Sequence, residues 1–226
     1  MLPPTPAAPA ELLTWGHWDG AVRLCAAESG ETAGVASQAL ARGDAVTAAH
    51  LTPAGDCFAC GTAHGVLLVW RRPSPLKHLL SHTPVRLFGH RAAVRAVAVC
   101  PAQATVATGA DDAACVLWDL NRLSFRLALP HRAPVVAVAV HAHNATVYTL
   151  EAPLPSNPHT ARLNAWSING APLASVICSK TFVLFLFLFF SELHVVDVDV
   201  DVVHLHLQLP PFQSKLFVLV TEPRRC

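Results

Sequence analysis

Between residues 45 and 150 the chain is written in short apolar runs with near-strict alternation, separated by turn residues. VRAVAV (94–99) and ATVAT (104–108) flank Cys100-Pro101 and read as two strands around a turn, with CVLWDL (115–120) as a third. The pattern recurs in AVTAAHLTPAGDCFACGTAHGVLLVW (45–70), where Pro53-Ala54-Gly55-Asp56 supplies the turn, and in PVVAVAVHAHNATVYTL (134–150), where His143-Asn144 does. Helical periodicity is almost absent, so the predicted class is all-β.

The strands fall into four related units. WGHWDGAVRLC, CGTAHGVLLVW, TGADDAACVLW and ARLNAWSING align so that Cys25, Trp70, Trp118 and Trp166 follow one another at intervals of 45, 48 and 48 residues. Such a period suits a four-stranded sheet repeated around an axis. A single sheet of this kind cannot bury its own two faces, so Val94, Val97, Val99, Val116, Leu117, Val135, Val138 and Val140 are predicted to fill the space between sheets.

Four polar positions of the third unit stand out. His90, Thr108, Asp112 and Trp118 can form one chain: Asp112 accepts from one imidazole nitrogen, Thr108 engages the other, and the Trp118 indole N–H reaches the Thr108 hydroxyl. The expected role is structural. A nucleophile triad of Thr, His and Asp is the competing reading, but the repeat spacing accounts for all four residues and no oxyanion donor is evident, so no catalytic residue is assigned. The other units carry partial versions. The first keeps Asp19 with Cys25 in place of Trp, the second keeps Trp70 with His64 in place of Asp, and the fourth offers His131 and Trp166 without an Asp at the turn. Only the third is expected to form the full set.

Composition narrows the function classes. A net charge of +1 gives no electrostatic reason to bind nucleic acid, and Arg86, Arg91, Arg95, Arg122, Arg126 and Arg132 read as a solvated face. Hydrophobic residues make up 53% of the chain and charged ones 14%, against about 25% charged in ordinary globular domains. The start, MLPPTPAAPAELL, lacks the basic end and apolar helix of a secretion signal, and seven cysteines without a framework point to a reducing compartment. His50, Cys57, Cys60 and His64 are close in sequence, but residues three apart on a strand face opposite ways, and His204 with His206 lacks a third ligand; no metal and no cofactor are expected. The longest apolar run, residues 182–190, is shorter than the ~20 residues a spanning helix needs. No phosphate-binding loop or small-molecule substrate site is visible.

Gly89-His90 and Trp118-Asp119 are the signature of WD40 repeats. Trp15-Gly16-His17-Trp18-Asp19, CVLWDLNRLSF (115–125), HRAPV (131–135) and AWSING (165–170) together resemble the C-terminal WD40 region of BEACH-domain proteins, nearest to the lysosomal-trafficking-regulator (beige, Chediak-Higashi) type, over about residues 12–177. The resemblance implies a non-catalytic scaffold in lysosome and lysosome-related organelle trafficking and vesicle fusion or fission. It would be cytoplasmic and peripheral on endosomal or lysosomal membranes, bind other proteins through the propeller surface, and carry His90, Thr108, Asp112 and Trp118 as the family's structural network. A generic WD40 adaptor in a signalling or ubiquitin-ligase assembly is the alternative. Arg91 and Asp111, beside the network, are candidate docking residues. The expected organisation is a disordered segment 1–11, a partial WD40 β-propeller of about four of seven blades over 12–177, and an atypical hydrophobic tail, 178–226, read as non-homologous rather than as a variant strand pair. A four-unit arc needs further chain or partners to close.

Overall fold

The computed structural model describes residues 11–14, 22–26, 29–36, 40, 43–52, 54, 56–71 and 83–179. Fifteen strands are named among them. β1 (Glu11–Thr14), β2 (Val22–Ala26) and β3 (Thr32–Ala36) form the first sheet. β4 (Val46–Leu51), β5 (Cys57–Thr62), β6 (Val66–Arg71) and β7 (Val85–Phe88) form the second. The third contains β8 (Val94–Cys100), β9 (Thr105–Ala110), β10 (Ala114–Asp119) and β11 (Ser124–Pro130). β12 (Val135–Val140), β13 (Thr146–Glu151), β14 (Thr160–Ser167) and β15 (Pro172–Ser179) complete the fourth. Each is an antiparallel meander in sequence order, and a 3-10 turn at Pro101–Gln103 is the one helical element named among the described residues. The described residues are therefore all-β, and among them the four sheets do not close into a ring.

The sheets stack face to face, and both faces of the middle two are apolar. Phe58, Cys60, Leu68 and Trp70 of the second sheet pack on Val22 and Leu24 of the first. Its opposite face, with Cys57, Ala59, Leu67 and Val69, packs on Val97, Val99, Val106, Val116 and Trp118 of the third. The third in turn sets Ala98, Ala107, Cys115 and Leu117 against Val138 and Val147 of the fourth. Of the eight residues assigned above to this space, Val140 is partly buried and the other seven are buried.

How closely two sheets approach is decided at one recurring point. Gly61 in β5 lies under the side chain of Val94, and an added Cβ there would overlap the valine. Gly109 in β9 lies under Val135 in the same way, its would-be Cβ 2.5 Å from Cγ1. Each valine opens the first strand of the next sheet, just before a register shift that recurs at Val46/Ala48, Val94/Ala96 and Val135/Ala137. An extra residue there bends and twists the strand, aiming its first side chain into the glycine of the sheet before. At the corresponding position of β13 stands Leu150, which is buried with Ala161 and Ala137 nearby.

Connections bear out the turn chemistry in part. The turn after β12 runs through His143 and Asn144, and the long insertion between β13 and β14 is closed by a bridge from Leu154 to Asn157. The tight turn between β9 and β10 places Ala113 at φ 58°, where the second sheet has Gly65 at φ 80°. Of the segment 1–11 only Glu11 is described, as the first residue of β1, and of the tail only Cys178 and Ser179, at the end of β15. The remainder of both, including His204 and His206, lies outside the described residues, as does most of the Pro-rich stretch between β6 and β7.

Two substitutions test this packing. Gly109→Ala forces a methyl against Val135 and is expected to cost about 1–3 kcal/mol, read as a lowered denaturant midpoint. Ala113→Gly removes the penalty of a left-handed alanine and is expected to raise that midpoint by a fraction of the ~1–2 kcal/mol which such a conformation costs.

Candidate functional site

β9, β10 and the turn between them build the polar centre of the third sheet. Thr108 and Val116 are paired across β9 and β10, and Trp118 lies two residues further along the same face. His90 enters from the connection after β7, where Gly89 lets the Trp118 ring pass close: a Cβ on that glycine would sit 2.7 Å from Trp118 Cη2. His90 Nδ1 is 3.1 and 3.2 Å from the two Asp112 oxygens, and its Nε2 is 2.7 Å from Thr108 Oγ1. Trp118 Nε1 donates to the same hydroxyl oxygen at 2.9 Å.

Donor counting assigns the protons. An indole N–H can only donate, so Thr108 Oγ1 accepts from Trp118 and its own hydrogen is free for His90 Nε2. The imidazole proton then sits on Nδ1 and points to Asp112. That carboxylate also accepts from the backbone N–H of Arg91 at 2.9 Å and of Ala114 at 3.2 Å, which closes the turn on the loop. Thr108 and Trp118 are buried, and Phe125 stacks edge-on against the indole at a centroid distance of 6.1 Å. The four residues therefore form one continuous chain from the loop surface to the middle of the sheet.

The fourth sheet contains a variant built on His131 and Trp166, whose third member, Thr149, the sequence reading missed. His131 Nε2 is 2.7 Å from Thr149 Oγ1, and Trp166 Nε1 donates to that oxygen at 3.2 Å. Nδ1 of His131 bonds the Leu129 carbonyl at 2.8 Å instead of an aspartate. His131 and Thr149 are 18 residues apart, the same separation as His90 and Thr108, which was the available signal. The insertion moved Trp166 to 17 residues beyond Thr149, where Trp118 is 10 beyond Thr108, and so hid the match. The expectation that the fourth unit has no usable acid at the turn is accompanied by a different solution: Glu151, buried at the end of β13, accepts from Asn164 Nδ2 at 3.0 Å and lies 3.8 Å from Arg162 Nε.

In the second sheet the polarity is reversed. His64 occupies the turn position of Asp112, and Asp44, from the loop before β4, takes the histidine's part, with Asp44 Oδ1 2.8 Å from His64 Nδ1. Burial acts to raise the Asp44 carboxyl, but hydrogen bonds from His64, Thr62 and the backbone of Ala45 and His64 hold it below its ordinary value. Cys60 stands where Thr108 and Thr149 stand in the later sheets, and Trp70 lies against Phe58 with ring centroids 5.2 Å apart. Asp19 lies outside the described residues.

Of the two candidate docking residues, Arg91 is exposed, whereas the Asp111 carboxylate is held by Arg95 through Nε at 2.9 Å and Nη2 at 2.6 Å. Arg126 bonds Asn169 at 3.1 Å, and Arg122 is exposed on a turn. Cys57 and Cys60 belong to the cores on opposite faces of the second sheet. Burial pushes the Cys57 thiol up to about 11 and those of Cys60 and Cys115 higher, so these sulfurs stay protonated. Among the described residues no three His, Cys, Asp or Glu side chains are grouped to hold a metal.

Residues 82–119 match the family model for the WD domain, G-beta repeat, so a WD40 repeat region is present. The chain is 29% identical over 131 residues to the WD repeat- and FYVE domain-containing protein 4 of Mus musculus, 55% of this chain and 4% of that protein. It is 25% identical over 171 residues to the human Lysosomal-trafficking regulator, 74% of this chain and 4% of that one. Beige protein homolog 1 of Schizosaccharomyces pombe is 26% identical over 147 residues, 63% of this chain and 5% of the relative. The matched stretch is thus a small part of each relative's length, and the identities do not single out the trafficking regulator among these distant homologues.

Thr108→Val keeps the shape of the side chain but leaves the Trp118 N–H and His90 Nε2 without a partner. The expected loss is about 1–3 kcal/mol for each group, measured by urea denaturation, and greater than that of Thr149→Val, whose partners are only half-buried.

Proposed function

We propose that the chain is a non-catalytic protein-interaction scaffold of the BEACH-WD40 type, serving lysosome and lysosome-related organelle trafficking through vesicle fusion or fission. The observation that carries this reading is the ordered stack of one three-stranded and three four-stranded sheets, with the WD domain match spanning β7 to β10, joined to similarity over 74% of the chain with the Lysosomal-trafficking regulator. WD40 domains generally act as platforms whose loops and rims receive other proteins.

In this reading the sheets over residues 12–177 are consecutive blades of an arc, and His90, Thr108, Asp112 and Trp118 are structural. Thr108 is a poor nucleophile where it stands, because its hydroxyl is buried in the sheet and its oxygen accepts the Trp118 N–H. Arg91 is the stronger of the two docking candidates, since its guanidinium is exposed at the rim while Asp111 is occupied by Arg95. In the same reading the protein works in the cytoplasm and, through partners or other domains, peripherally on endosomal or lysosomal membranes. A generic WD40 adaptor in a signalling or ubiquitin-ligase assembly is the second reading; it draws on the even spread of identity among the relatives.

Depleting the protein in cells and measuring lysosome diameter tests the trafficking role. Enlarged lysosomes that return to normal with the wild-type chain, and only partly with Arg91→Glu at equal abundance, are the expected outcome. Unaltered lysosome size on full depletion would leave the adaptor reading in its place.

A further inference from the structure

The third and fourth sheets hold the same His–Thr–Trp chain with one difference that matters for protons. In the third, the outer imidazole nitrogen faces a carboxylate, Asp112. In the fourth it faces a neutral carbonyl, that of Leu129. Protonating either histidine places a hydrogen on Nε2, so the threonine oxygen must then accept from both imidazolium and indole while its own hydrogen seeks another acceptor.

Thr108 has that acceptor, the Val116 carbonyl at 3.3 Å, and Asp112 neutralises the new charge at 3.1 Å. Among the described residues Thr149 shows no corresponding bond to the carbonyl of its strand partner Asn164. The fourth sheet is therefore unprepared for a charge that the third can accept.

The charged surroundings do not repair this. Glu151 faces His131 from the end of β13, but its oxygens are engaged by Asn164 Nδ2 and approached by Arg162 of β14. From the third sheet, Asp112 is bound to His90 and Asp111 to Arg95, while the nearby Cys115 thiol stays neutral. Arg132, next along the chain, is exposed and adds positive charge.

We infer that His131 is an acid-sensitive latch: it seats the fourth sheet while neutral, and on protonation lets β12–β15 loosen while the third sheet stays closed. Burial pushes the His131 imidazole below its ordinary value, against the smaller raising effects of the Leu129 carbonyl and Glu151. An imidazole depressed in the folded state binds fewer protons than in the opened one. Stability is then full above the ordinary value of about 6.5 and is lost as pH falls from there towards the folded value. His50, also lowered by burial, belongs to β4 and reports on the second sheet.

Hydrogen–deuterium exchange of the full chain at pH 7.5 and 5.5, corrected for intrinsic rates, tests the latch. Opening of β13 and β14 amides is expected to rise at pH 5.5, by at most about tenfold for one group an entire unit below 6.5, with β9 and β10 much less affected. His131→Gln is expected to abolish the difference. Equal pH dependence in both sheets, or its persistence in His131→Gln, would overturn the proposal. Should that variant fail to fold, the wild-type His131 ring proton, identified by its contact with the Trp166 ring at 5.5 Å, decides the matter by NMR. A midpoint below 6.5 that coincides with a change in the Trp166 indole N–H signal supports the latch; a midpoint at or above 6.5 overturns it.

Discussion

Everything in this molecule depends on how one sheet is seated on the next. A four-stranded sheet with two apolar faces has no stable existence alone, so the stacking distance is as much a part of the fold as the strand pairing. Val94 over Gly61 and Val135 over Gly109 set that distance. The bulge beneath each valine supplies the bend, and the glycine supplies the room. With the distance fixed, large side chains such as Trp118 and Leu117 fill the gap from either face of the third sheet.

The polar chains serve the same end from the edge of each sheet. In the second and third sheets they join a loop to the turn between the second and third strands, and in the fourth the histidine of the entering loop reaches Thr149 on the second strand, so that the entry of the chain into a sheet is tied to the sheet's interior. Three chemistries achieve it: histidine to aspartate in the third sheet, aspartate to histidine in the second, and histidine to a main-chain carbonyl in the fourth. What is shared is the geometry of a donor–acceptor bridge. Further out, Arg71 of the second sheet reaches the Leu120 carbonyl and Asn121 of the third, and Gln103 of the third reaches the Ala142 carbonyl of the fourth. These links cross the interfaces at the end opposite the histidine loops.

Much of the strand layout could be read from the sequence because β-branched runs and Pro, Gly and Asn turns mark it directly. The sheet over residues 94–130 is the clearest case, with VRAVAV lying within β8, and ATVAT and CVLWDL lying within β9 and β10 apart from one end residue each. The bulges were not legible, since Val-Arg-Ala and Val-Val-Ala carry no turn residue to announce them. Thr149 was concealed by an insertion that changed its distance to Trp166. Asp44 was concealed because it lies in a loop outside the aligned spacing and acts with inverted polarity. Sequence spacing finds a residue only while the loop lengths are conserved between units, whereas a hydrogen bond needs only the end points to meet.

Leu150 stands where the two preceding sheets have glycine. A glycine there is a socket for the neighbour's valine; the leucine fills that place with its own side chain, buried with Ala161 and packed against Ala137. The fourth sheet therefore has no recess to receive a neighbour's valine, and the interlocking rhythm of the preceding interfaces changes step at this position.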